Sequence, residues 1–433
     1  MVGGDGAGMS EITDFYQQQA LAGRSNIPWL SDLQKTALTD FERFGFPTRQ
    51  HEEWKYTSVV SFLQQRFSTT VSAVAMPMTA RYQTDIPVGH LVGLINGEVC
   101  GAQELMAKLP EGVVVQSLAQ ALVDHPDKIS PYLGCILQHE HGFHALNTAM
   151  LHQGLFIYLP AGVSLSEPLL LVHWQDVANQ ATHIRHLVVA EKGSSASIIE
   201  DYQGDASSCY LTNTVTEVFT ATDAKLTHYK IQRESKQAYH VGHIAVKQAA
   251  GSQFDSHLFS VGGKLVRNDM TIYLQEPGAH CLMNGIYGPT DGQHMDQHTT
   301  VFHEVPDCSS EQDYKGILTG RSRGVFNGKV IVAKNAQHTR AKQQNKNLLL
   351  SATAEIDTKP QLDIYADDVV CTHGATVGQL DEDALFYLAA RGIGRLEASQ
   401  YLIQAFATEN LRAIPLAGLA TWMSTILEGG CYE

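Results

Sequence analysis

The sequence contains no CxxC pair, and its seven cysteines, at positions 100, 135, 209, 281, 308, 371 and 431, follow no regular spacing. An odd, scattered set in a chain of this length argues against a disulfide framework and for free thiols in a reducing compartment, so the chain is read as cytoplasmic. The N-terminus lacks the basic stretch and apolar run of a secretory signal. No uninterrupted apolar run approaches about 18 residues, so no membrane-spanning helix is expected. Also missing are the GxxxxGK[ST] phosphate loop, a GxSxG elbow, an HExxH pair and an EF-hand loop. Arg391-Gly392-Ile393-Gly394 is too slight for a dinucleotide site. Without a phosphate loop the chain is not expected to hydrolyse ATP, and it is read as a non-enzyme. Basic residues are the minority, 30 against 45 acidic, for a net charge of −15. That balance disfavours nucleic acid or an anionic membrane as the main partner, because both would repel it.

What the chain does have is enough apolar sequence, 44% of 433 residues, to fill a sizeable core. Met1 to Gly8 is glycine-rich, precedes a second methionine and is set aside as an upstream start or a cloning scar. Ser10 is a candidate N-cap for a helix over Glu11 to Leu21, and Ser31 or Asp32 for a second that runs to Phe44 and stops at Gly45. Residues 1–150 are read as a mostly helical N-terminal domain.

From about residue 155 the character changes. Short β-prone segments such as Leu155-Phe156-Ile157-Tyr158-Leu159, His186-Leu187-Val188-Val189 and Lys329-Val330-Ile331-Val332 are divided by small-residue turns. Those at Ala161-Gly162, Gly193, Asp223, Gly251, Gly278, Asp307 and Asn335-Ala336 recur about every 27 to 31 residues. A recurrence of that length in strands points to a β-solenoid over 151–380, in which neighbouring coils bury each other's apolar faces. An antiparallel β-domain with evenly spaced turns is the alternative. Past Leu380 the pattern turns helical, with Asp381 as N-cap, a second helix over Arg395 to Arg412, and a short last one after Pro415. Residues 381–433 thus form a C-terminal helical domain. Helices on both flanks are expected to cap the unpaired strand edges at the solenoid's ends.

The strongest chemical signal is Cys371-Thr372-His373. On a strand, residues two apart share a face, which sets a thiol beside an imidazole, ligands suited to iron, zinc or copper. The remaining ligands must come from elsewhere in the fold, from a partner or from sulfide; a buried thiol beside a hydrogen-bonded histidine is the plainer alternative. His294, His298, His303, Glu304 and Cys308 form a looser group. His298 and His303 are an odd number apart and would diverge on a strand, so this stretch is read as a solvated turn. His280-Cys281 diverge likewise, and Asp367-Asp368 reads as a polar turn.

The segment from Glu355 to Gly378, which contains Asp367-Asp368-Val369-Val370-Cys371-Thr372-His373-Gly374-Ala375-Thr376, closely resembles the signature of the SufB/SufD family of iron–sulfur cluster assembly proteins. Leu385-Phe386-Tyr387-Leu388, Arg391-Gly392-Ile393, Val325-Phe326-Asn327-Gly328 and, near the start, Pro47-Thr48-Arg49 with Glu53-Trp54-Lys55-Tyr56-Thr57 match it too. The Cys-x-His-Gly-Ala-Thr form points to the SufD branch. The resemblance implies a mainly β chain: a right-handed parallel β-helix flanked by helical domains. It further implies a scaffold that pairs with a SufB partner through the β-helix and docks a SufC ATPase through 381–433. Cys371 and His373 would then serve transient iron or a nascent cluster at the partner interface, and the isolated chain would form a homodimer. A purely structural adaptor is the second reading. A β-helix carbohydrate-active enzyme is a third, but it needs paired acids on one groove, and Asp367-Asp368 would diverge.

Overall fold

The computed structural model describes residues 5–69, 86 and 89–430. Its centre is a parallel β-solenoid in which each coil gives one strand to each of two sheets. The odd sheet holds β1 (His90–Ile95), β2 (Glu98–Cys100), β5 (Leu169–Gln175), β7 (Ser195–Gly204), β9 (Lys225–Gln232), β11 (Gln253–Ser260), β13 (His280–Tyr287), β15 (Ser309–Leu318), β17 (Arg340–Leu349) and β19 (Val370–Gly378). The even sheet holds β3 (Val114–Ser117), β4 (Leu155–Leu159), β6 (Ala181–Ala190), β8 (Leu211–Thr220), β10 (Tyr239–Gln248), β12 (Leu265–Leu274), β14 (His294–His303), β16 (Arg323–Val332) and β18 (Glu355–Ile364). Both sheets therefore reach back before residue 151, through β1 to β3.

Register is kept coil after coil: His280 pairs with Ser309, Ser309 with Arg340, and Arg340 with Val370. The recurring turns bring each strand back over its predecessor by placing one residue in the left-handed region. Gly193, Gly251, Gly278, Asp223 and Asp307 all have φ between 59° and 78°. These are residue types for which that conformation costs little. Alternate residues face the interior. Leu171, Ile198, Leu226, Ile244, Phe254, Ile272, Met283, Val301 and Phe326 belong to one continuous buried core.

The outward face of each sheet is covered by helices. On the even sheet lie α1 (Asp5–Ala22), α2 (Pro28–Phe44), α3 (Val60–Leu63) and α7 (Gly142–Ala149). Their Tyr16, Phe41, Phe62 and Phe143 share a cluster with Ala181, Leu211, Tyr239, Val241 and Leu265. Between them come the short α4 (Ala102–Met106), α5 (Leu118–Asp124) and α6 (Pro126–Ile129). Helix α1 begins ahead of Ser10, which lies inside it rather than at its cap. Helix α2 begins at Pro28, not at Ser31 or Asp32, because proline at N1 has no N–H to leave unsatisfied and its φ is already helical.

On the odd sheet lie α8 (Glu382–Ala389), α9 (Arg395–Arg412) and α10 (Ala417–Gly430), with Asp381 capping α8 by accepting the N–H groups of Asp383 and Ala384. Ile403, Ala407, Leu419 and Met423 pack on Ile231, Phe259, Ile286 and Ile317. Each large apolar side chain so buried stabilises by roughly 1.5–3 kcal/mol. Asn410 Nδ2 donates to Asn284 Oδ1 at 2.5 Å and to the Asp313 carbonyl at 2.9 Å, anchoring α9 to β13 and β15. The C-terminal helices therefore cover a flank of the solenoid and do not cap its end. Their apolar stripe matches the flat outward rows of the odd sheet, and among the described residues β18 and β19 keep an unpaired edge each. No helix among the described residues is long and apolar enough to cross a membrane.

Candidate functional site

Strand β19 is the last of the odd sheet and, among the described residues, bonds only to β17. Its register sets Cys371 opposite Ala341 and His373 opposite Gln343. Ala341 and Gln343 are buried members of the row that faces the interior, so Cys371 and His373 continue that row in the terminal coil. With no further coil stacked on them, Cys371 is half-buried and His373 exposed. Cys371 packs in a small cluster with Val330, Val332, Ala336, Ala341 and Ala366. Burial pushes its thiol pKa up, and a hydrogen bond with the Ala341 backbone opposes this only in part. The lone chain therefore presents a thiol, and a cation or a positively charged neighbour is needed to hold the thiolate. Among the described residues, no third Cys, His, Asp or Glu completes a metal-sized group with this pair. The edge around it is apolar, with Ile364, Tyr365, Val370 and Val377 all exposed.

The other histidines and cysteines named from sequence lie elsewhere. All six described cysteines are free. The stretch from His294 to His303 is β14, not a solvated turn. Its polar residues were deceptive because its outward row is roofed by the N-terminal segment: His294 Nε2 is 2.8 Å from Thr57 Oγ1, and His298 Nδ1 is 3.5 Å from Glu53 Oε2. His303 faces inward and shares a hydrogen bond with Ser310 Oγ at 2.8 Å, so it and His298 do diverge. Cys281 is fully buried in the core while His280 points out to Ser309. Asp368 sits in a turn, where its N–H donates to Gln337 Oε1.

Sequence reasoning missed a polar stretch inside the solenoid. Glu200 accepts hydrogen bonds from the Tyr202 hydroxyl at 2.6 Å and Thr216 at 2.7 Å, and lies 3.3 Å from His228 Nε2. Glu234 accepts from Thr212 at 2.6 Å and pairs with His240 at 2.7 Å. Lys230 stands 5.1 Å from the centre of the Tyr202 ring, and burial pulls its pKa down to about 8. The alternation of Glu200 with Tyr202, and of His228 with Lys230, was the available signal, since such residues at inward positions must find partners.

Also missed was a cavity of about 540 Å³ on the outward side of the even sheet, lined by Glu53, Trp54, His141, Arg267, Asp269 and His298 among others. Arg267 is its electrostatic centre. Its guanidinium bonds Asp269 at 2.8 Å and Asp296 at 2.8 Å and lies 4.3 Å from the Trp54 ring centre. Desolvation works against the Asp269 carboxylate, but Arg267 holds its pKa down at about 2. The spacing His141-x-x-His144 at the start of α7 was the visible sign of this place.

Comparison with known proteins places the chain in a family. Residues 173–406 match the model for the SUF system FeS cluster assembly SufBD core domain, and residues 9–171 match the SufBD protein N-terminal region. An iron–sulfur cluster assembly SufBD family protein of Synechocystis is 32% identical over 415 residues, 93% of this chain and 91% of the relative. The iron–sulfur cluster assembly protein SufD of Escherichia coli is 32% identical over 390 residues, 88% of each chain. SufD of Bacillus subtilis is 27% identical over 425 residues, 92% of this chain and 93% of that one. A solenoid of this build, matched along nearly its whole length, belongs to the SufB/SufD family of the SUF iron–sulfur cluster assembly system.

Proposed function

We propose that the chain is a non-catalytic, cytoplasmic scaffold subunit of the SUF machinery. It pairs with SufB along the terminal coil, docks the SufC ATPase on α8 to α10, and lends Cys371 and His373 to iron or a nascent cluster as substrate at the SufB interface. The observation that carries this reading is the shared row of Cys371 and His373 on a last strand with an unpaired edge. Two soft or borderline donors without a third make half a site. A partner strand added to β19 would complete the backbone ladder and bring further ligands within reach. A ligand set divided between chains can load a cluster when assembled and release it on rearrangement, whereas a closed four-ligand site would hold its product.

The helical flank supplies a separate surface: Phe386, Tyr387, Leu396 and Tyr401 are large apolar or aromatic side chains left exposed on α8 and α9. Exposed apolar residues clustered in this way suit a protein partner. The same edge of β19 suits self-pairing when SufB is absent.

Anaerobic addition of iron and sulfide to the chain copurified with SufB and SufC tests the reading. Cluster absorbance is expected to fall on Cys371→Ser or His373→Ala while the far-ultraviolet circular dichroism stays unchanged. The half-burial that raises the Cys371 thiol favours a second reading, a structural adaptor whose thiol is inert. Full absorbance in both variants would establish the adaptor.

A further inference from the structure

At the flank cavity, whose wall includes His141 and Asp269, lies a cluster for which the scaffold role has no use. His141 occupies the N-cap position of α7 without a side-chain capping bond, His144 stands in the helix's first turn, and Asp269 lies on the outward row of β12. One donor atom from each of the three lies within 4.8 Å of the other two. The two imidazole rings are 3.7 Å apart, centre to centre. His141 is only 5% exposed, and among the described residues neither of its ring nitrogens has a hydrogen-bond partner. His144 shares one nitrogen, Nε2, with His243 at 2.9 Å, and its Nδ1 has no partner among the described residues. Buried polar atoms are nearly always satisfied, so adjacent orphaned imidazole nitrogens, one of them on the cavity wall at His141, call for a ligand.

We propose that His141, His144 and Asp269 bind a divalent first-row transition-metal ion whose remaining coordination positions open into the flank cavity. Two imidazoles and one carboxylate form a borderline donor set suited to Zn²⁺, Co²⁺ or Fe²⁺, and unlike the all-oxygen sets that Mg²⁺ and Ca²⁺ take. Burial keeps both imidazoles neutral, the form that ligates. The supporting shell is present: His243 braces His144 and itself contacts Thr271 Oγ1 at 3.1 Å, while Arg267 fixes the Asp269 carboxylate. Carboxylates on the cavity wall (Glu52, Glu53, Glu140 and Glu304 besides Asp269) outnumber the cations Arg267 and Lys329, which favours entry of a dication. The bound ion would tie α7 to β12 and so clamp the N-terminal layer onto the solenoid.

The test uses tag-free full-length protein carrying Cys371→Ser and His373→Ala, so that the terminal coil contributes no ligands. Titration with Co²⁺ is expected to give one equivalent of binding with visible d–d absorption. The melting temperature should rise by several degrees, because the ion binds only the folded chain. Zinc X-ray absorption on the same protein should show nitrogen and oxygen ligands including two imidazoles. His141→Gln and Asp269→Asn should each weaken binding about tenfold or more, as loss of a ligand requires. Absence of saturable binding at micromolar metal, sulfur in the coordination shell, or unchanged affinity in either folded variant would overturn the assignment.

Discussion

Arg185 and Glu217 pair across adjacent coils of the even sheet, Nη1 to Oε2 at 3.2 Å, with neither side chain exposed. Glu217 also accepts the backbone N–H groups of Gly134 at 2.8 Å and Ile136 at 3.0 Å, while Arg185 Nη2 donates to Thr148 Oγ1 at 2.5 Å. One ion pair thus fastens the loop after α6, and α7 behind it, to the solenoid. Glu217→Ala would strand a buried guanidinium and several N–H groups, and is expected to cost about 3–5 kcal/mol. Glu217→Gln, which keeps an acceptor, should cost less. Urea midpoints of the two variants check the order.

Acid should destabilise the chain well above the carboxylate range. Burial depresses His186, His257, His294 and His303 to about 4. In the unfolded chain each titrates near 6.5. Between these limits the unfolded state binds more protons, so stability is complete above about pH 6.5 and falls as pH drops towards 4. Each histidine contributes up to about 1.4 kcal/mol per pH unit in that window. Urea midpoints at pH 7.5 and 5.5 measure it, and equal values would mean that these imidazoles are not buried in their neutral form.

Val370→Lys and Val377→Lys should block pairing at the terminal edge. Both residues are exposed, so folding stability should change by no more than about 0.5 kcal/mol. A charge on an edge strand discourages strand addition. Sedimentation of the isolated variants is expected to show monomers where the parent chain self-associates, and capture of SufB should fall in parallel.

Phe386→Asp and Leu396→Asp should weaken SufC binding about tenfold or more each, since buried apolar anchors dominate such interfaces. Pairing with SufB should be untouched. Calorimetry with purified SufC, and pull-down with SufB, separate the two surfaces; loss of both together would point to a misfolded helical layer.

The coil recurrence was legible because each turn needs a residue that tolerates positive φ, and Gly193, Asp223, Gly251, Gly278 and Asp307 announce themselves. The final turn was harder, since the left-handed residue there is His338 rather than one of Asn335-Ala336. The like spacing of Cys371 and His373 was enough to set them in one row once the strand was granted. Where the helices lie was not legible: the apolar stripe of α9 says that it is buried but not whether a sheet face or a coil end buries it. The flank cluster was hidden for a related reason. His141 and Asp269 are far apart in sequence, and only the docking of α7 on the even sheet joins them.

Strand β19 runs directly into α8, and α9 is bolted to the coils before it through Lys315, which reaches the Phe406 carbonyl at 2.9 Å, and through Asn410. The last ladder ends where Leu348 meets Gly378. A tug on the helical layer would therefore load the strand at that end, as a zip is opened from its tab. Peeling would reach His373 before Cys371, so a cluster held as proposed would lose the imidazole first and keep the sulfur as its last point of attachment.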